Sequence, residues 1–162
     1  MEEFFMENRR KLHESGVVMI ILGITNLLMF FATIVDSIIN GAIAEELAKV
    51  ESDIVVAVKV GVVIVCVIMA FIVAADVFLG IKAIKVSKNP TAGRGYIIVA
   101  FIFCIMCAIT IISNAIAIFS GNGSALDSSI NMGSTALSTC IYAWFINNAE
   151  AVRKDVLNGS KE

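Results

Sequence analysis

The chain has 162 residues, of which 59% are hydrophobic and only 16% charged, and its mean hydropathy is +0.91. A water-soluble domain of this length carries roughly 45–50% apolar residues, and the excess here lies in long runs that a soluble core of this size has no room to hide. A net charge of −2 gives no general basic surface, which excludes nucleic acid as a partner.

The apolar runs predict an all-α integral membrane protein, a four-helix bundle running up-down-up-down, with helices over about residues 16–39, 54–87, 92–119 and 128–150. A hydrocarbon core of about 30 Å needs about 20 helical residues, and each run supplies them. The runs are continuous rather than alternating, which argues against a barrel. The only proline is Pro90, so the runs contain no helix breaker. Residues 16–150 thus form one transmembrane domain. It is preceded by a cytoplasmic amphipathic segment at 1–15, which lacks the features of a cleaved signal, and followed by a cytoplasmic tail at 151–162.

The first span holds Asn26 near its middle and Asp36 near its far end. Residues 40–53 follow as an acidic connection with Glu45, Glu46, Glu51 and Asp53 against Lys49. This connection is read as a solvated segment, with cation or partner binding as the alternative. The second span carries Lys59 at its outer end, at the depth of Asp36, which predicts an Asp36–Lys59 ion pair or water-bridged contact; independent snorkelling is the other reading. It also carries Asp76, an acid inside an apolar stretch about a turn from the inner interface. The reading is a hydrogen-bonded structural acid near Asn147, Asn148 or Arg94. The alternative is a cation or proton site, since intramembrane acids are expensive without a purpose.

A basic turn with the breaker Asn89-Pro90 leads to the third span. Asn114 there, like Asn26, is expected to hydrogen-bond a neighbouring helix. Cys104 and Cys107 have the spacing of a redox pair but sit mid-span, at depths similar to Cys66 and Cys140. Buried cysteines behave as small hydrophobes, so an enzyme is not expected, and a membrane thiol oxidoreductase is the minor alternative. No cofactor or metal is implied: one embedded pair lacks further zinc ligands, and His13, the sole histidine, reads as interfacial.

The short connection at 120–127 is rich in Gly and Ser, and its Asn122-Gly123-Ser124 is a glycosylation acceptor only in a eukaryotic host. The fourth span differs from the rest. Ser129, Gly133, Ala136, Cys140, Ala143 and Asn147 form a seam of mostly small residues suited to close helix approach. Ser128, Asn131, Thr135, Ser138 and Tyr142 form a polar series on nearly the opposite side. Two non-lipid faces imply a central position, a second subunit or a wet cavity, unless the hydroxyls bond their own backbone. On the third span Ala100, Cys104, Ala108 and Ala115 repeat the small-residue theme, and the two helices are expected to form a close hairpin.

Orientation follows from charge. Arg9, Arg10, Lys11, Lys82, Lys85, Lys88, Arg94, Arg153, Lys154 and Lys161 fall on one side, ten of the twelve bases. The positive-inside rule then places both termini in the cytoplasm, with Tyr96, Tyr142 and Trp144 at the same interface. A three-span protein with an external tail is the alternative, because the fourth run is rich in Ser and Thr.

The stretch from Gly80-Ile-Lys-Ala-Ile-Lys-Val-Ser-Lys-Asn-Pro through Thr91-Ala-Gly-Arg-Gly-Tyr-Ile-Ile-Val-Ala-Phe resembles hairpins of small uncharacterised bacterial four-span proteins. The resemblance implies a bacterial cell-membrane location and no particular activity. The overall plan is similar to tetraspan and MARVEL-like proteins in topology alone, without an outer Cys-Cys-Gly motif. It is also similar to small multidrug carriers, but Asn26 stands where those carry an acid, which counts against proton-coupled export. The functional expectation is therefore a structural or interaction subunit that self-associates or joins a larger membrane complex. An oligomeric channel or carrier lined by the polar face of the fourth helix is the alternative.

Overall fold

A computed structural model describes residues 2–39, 52–120 and 125–159. Every element among them is helical: α1 Glu2–Ile39, α2 Ser52–Lys88, α3 Gly95–Ser120 and α4 Ala125–Gly159. Three stretches are long and apolar enough to cross a membrane: Phe5–Ala32, Val63–Lys88 and Gly95–Ser120. α4 is long enough, but its Ser and Thr content keeps it outside that group.

The helices overrun the expected boundaries at the charged ends. α1 begins at Glu2 rather than near residue 16. Its first turns hold ion pairs one turn apart, Lys11–Glu7 at 2.7 Å and Arg10–Glu14 at 3.5 Å, and such pairs support a helix in water. α4 continues to Gly159 through most of the segment expected to be a tail. Its extra turns bury Val152 and bring Asp155 to Asn8, whose Nδ2 donates to Asp155 Oδ2 at 2.9 Å. α3 starts later than expected, at Gly95 rather than 92, because the turn occupies those residues.

That turn is built by local chemistry. The Asn89 N–H donates to the Lys85 carbonyl and closes α2; Pro90 then disfavours helical geometry at Asn89. The Arg94 carbonyl accepts from the N–H groups of Ile97 and Ile98 and opens α3. From α4, Arg153 Nε donates to the Ala92 carbonyl at 3.2 Å, while its Nη1 pairs with Glu150 at 3.2 Å.

The chain divides into two compact units. One comprises Met1–Ile20 and Phe78–Glu162, the other Ile21–Val77. In the first unit α1 and α2 run antiparallel at close range, since Gly16 faces Gly80, Ala83 and Ile84 while Ile20 faces Gly80. A Cβ on Gly80 would stand 2.5 Å from the Gly16 carbonyl oxygen and 2.5 Å from Ile20 Cγ1, so the two backbones meet where neither residue has a side chain. α3 and α4 are also antiparallel. The Tyr96 ring meets Phe145 edge-on, with centroids 6.1 Å apart, and Phe103 stacks on Tyr142 at 5.9 Å. Leu12, Leu79, Val86, Ala100, Phe145, Ala149 and Val152 complete this unit's core.

The buried residues of α3 are Tyr96, Ile97, Ala100 and Phe103, all in its first three turns. Further along, Ile105, Ile109, Ile112, Ile116 and Phe119 are exposed. An exposed apolar surface on this scale is foreign to a soluble monomer and normal for a helix whose solvent is lipid.

Candidate functional site

The Ile21–Val77 unit holds an internal polar pair. Asp76 on α2 is fully buried, and its Oδ2 accepts from Asn26 Nδ2 on α1 at 3.3 Å. Gly23 lies one turn before Asn26 on the same face. A Cβ there would come within 3.0 Å of Asp76 Cβ and 3.5 Å of the Val73 carbonyl oxygen. The missing side chain is what lets α2 approach closely enough for an amide to reach the acid. A carboxyl held this way joins two helices and is the one acid among the described residues shielded completely from solvent.

Asn26 is one donor to the Asp76 carboxylate; Arg94, Asn147 and Asn148, the neighbours that the sequence suggests for Asp76, belong to the other compact unit. Both residues stand out in the sequence as polar groups in apolar runs, but nothing there joins them. Depth measured from the end of each apolar run places Asn26 near mid-span and Asp76 near the interface, so it does not pair them. The side chains of Asp36 and Lys59 lie outside the described residues, as does the acidic connection between α1 and α2. Asn114 is half-buried on α3 and His13 is exposed on α1. Cys66, Cys104 and Cys107 are half-buried thiols, and Cys140 is exposed.

Of the two faces of α4, the structure packs the polar series within the chain and leaves most of the small-residue seam exposed. Within the seam, Ser129, Gly133, Cys140, Ala143 and Asn147 are exposed and Ala136 is half-buried. A Cβ on Gly133 would meet nothing within 4 Å. In the polar series Tyr142 is buried, Ser128, Thr135 and Ser138 are half-buried, and Asn131 is exposed. That side continues into Phe145, Ala149 and Val152 and packs on α3. The physical reason is twofold. Tyr142 gains an aromatic partner in Phe103, and such a pair contributes about 0.5–1.5 kcal/mol beyond the area it buries. The hydroxyls need no outside partner, because Ser134 and Thr135 donate to the Asn131 carbonyl, Ser138 to Ser134, and Thr139 to Thr135, at 2.7–3.2 Å. Such internal bonds remove most of the cost of a hydroxyl in an apolar setting. On α3, Ala100 is buried, Cys104 and Ala115 are half-buried, and Ala108 is exposed.

Further polar features gather around the turn. Tyr96 Oη and Asn148 Nδ2 are buried polar atoms with no hydrogen-bond partner among the described residues. An open cavity of about 100 Å³ is lined by Phe5, Arg9, Pro90, Val152, Asp155 and Val156. It depends on α1 and α4 extending past their apolar runs. Comparison with protein-family models, curated proteins and solved structures gives no match.

Proposed function

We propose that the chain is a four-span integral membrane protein of the cell membrane, with both termini cytoplasmic, that serves as a structural or interaction subunit. It assembles with further copies of itself or joins a larger membrane complex. The observation that carries this reading is the outward position of the α4 seam: Ser129, Gly133, Cys140 and Ala143 are exposed, and no other part of the described chain fills the space at Gly133. In lipid, association has little hydrophobic driving force. It relies on close backbone approach at small residues, and this face supplies them without using its large side chains. α4 is also the least apolar of the four helices, so covering this face with protein is more favourable than leaving it to acyl chains.

Cys140 makes the test direct, because it lies on the seam and is exposed. A short thiol cross-linker applied to native membranes is expected to give a covalent dimer that disappears in Cys140→Ser. The dimer is expected to persist when Cys66, Cys104 and Cys107 are replaced together. Light scattering in mild detergent is expected to give a particle of two or more chains. A monomer by scattering, with no cross-linking through Cys140 and no co-purifying membrane protein, would overturn the proposal. Ion flux through liposomes carrying the purified chain would favour the channel reading instead.

A further inference from the structure

On α2 one exposed face changes character along its axis. Phe78 and Ile81 are 54% and 44% exposed. Within the next two turns the same side carries Lys82, Lys85 and Lys88, all exposed. The opposite side, Leu79, Gly80, Ala83, Val86 and Ser87, is buried. At 100° per residue the five exposed positions fall within about a third of the helix circumference. They belong to the last turns of a stretch long and apolar enough to cross a membrane, Val63–Lys88.

The bases of this end of the molecule are not equivalent. Arg10 pairs with Glu14, Lys11 with Glu7, and Arg153 with Glu150 and the Ala92 carbonyl. Among the described residues no carboxylate or other acceptor pairs with the ammonium groups of Lys82, Lys85 or Lys88. Three adjacent cations stand uncompensated where the apolar part of a span ends.

From this arrangement we propose that the Phe78–Lys88 face of α2 binds anionic phospholipid. Acyl chains lie along Phe78 and Ile81, and phosphate oxygens sit against Lys82 and Lys85, with Lys88 at the outer edge of the headgroup. Charge complementarity identifies the occupant. A basic row at headgroup level attracts anionic lipid, and the apolar positions directly before it fit a hydrocarbon tail, which an acidic protein segment or free phosphate lacks. Lysine side chains reach toward the headgroup while their methylene stems cover the helix. The proposal rests on α2 spanning the bilayer, and it holds whichever side of the membrane this end faces.

The test uses the full chain in neutral detergent, titrated with phosphatidylglycerol or phosphatidylcholine, with bound lipid counted by native mass spectrometry. Wild-type protein is expected to bind phosphatidylglycerol at least tenfold more tightly, and 0.5 M salt should abolish most of that preference. Each Lys→Gln change is expected to weaken anionic-lipid binding about five-fold, and the triple change on the order of a hundredfold. The triple Lys→Arg variant should keep the preference, and Arg10→Gln with Lys11→Gln should shift it less than two-fold. Equal binding of the two lipids by wild type overturns the proposal, as does an unchanged preference in the Lys→Gln variant. Because the salt arm uses wild type alone, misfolding of a variant cannot hide the answer. Release of the protein from membranes by alkaline carbonate would instead remove the spanning reading beneath it.

Discussion

Asn26 Nδ2 stands 3.3 Å from Asp76 Oδ2, a polar bond between α1 and α2 within two stretches apolar enough to cross a membrane. Two residues that each look costly alone become acceptable together. Double-mutant cycles on interhelical hydrogen bonds in membranes average about 0.6 kcal/mol, with an upper end near 1.7 kcal/mol. Asn26→Leu, Asp76→Leu and the double variant are expected to show a coupling in that range by thermal unfolding in detergent. Purely additive losses would mean that the contact does not act as a bond.

Glycine substitutions should divide sharply by position. Gly80→Ala and Gly16→Ala place a Cβ within 2.5–2.9 Å of backbone or side-chain atoms. Each is expected to destabilise the fold by about 1–3 kcal/mol through overpacking. Gly133→Ala meets open space and should stabilise the isolated chain by up to about 1 kcal/mol through helix propensity. Unfolding midpoints of the three variants, measured at one detergent concentration, decide the ordering.

Phe145 is fully buried, whereas Phe119 is 91% exposed. Phe145→Ala removes the edge-on partner of Tyr96 and leaves a cavity, at an expected cost on the order of 3 kcal/mol. Phe119→Ala should change stability by less than about 0.5 kcal/mol. The reverse order, read from denaturant titration, would mean that the α3–α4 contact is placed wrongly.

The bond from Asn8 to Asp155 ties the first turns of α1 to the last turns of α4. It is part-exposed, so about 1 kcal/mol is a fair discount from the usual value for a charged acceptor. Asn8→Ala is then expected to speed amide exchange over residues 152–158 by about five-fold, with no change at the middle of α3. Unchanged exchange at those residues would show that α4 holds its end without α1.

Hydroxyl removal on α4 should have little effect. Thr135 and Ser138 donate to carbonyls of their own helix, so Thr135→Val with Ser138→Ala is expected to stay within about 0.5 kcal/mol of wild type. A loss of several kcal/mol, or a change in liposome ion flux, would point to an outside partner or a wet lining for these groups.

Length and hydropathy by themselves determined that the described chain is helical and that Asn89-Pro90 ends the second helix; they pointed to four spans, of which three, Phe5–Ala32, Val63–Lys88 and Gly95–Ser120, are apolar enough to cross a membrane. These follow from backbone satisfaction in lipid and from proline sterics, which need no tertiary information. Residue type also marked Asn26 and Asp76 as costly. Periodicity sorted the residues of α4 onto two faces, but it could not say which face turns inward, because small-residue packing and aromatic stacking compete and only the position of Phe103 decides between them. The helical reach of α1 to Glu2 and of α4 to Gly159 was hidden by charge: polar turns read as tails until Leu12, Val152 and the Asn8–Asp155 bond give them something to pack against. The pairing of Asn26 with Asp76, too, depends on how closely two helices approach, and Gly23 fixes that distance only once α2 lies opposite it.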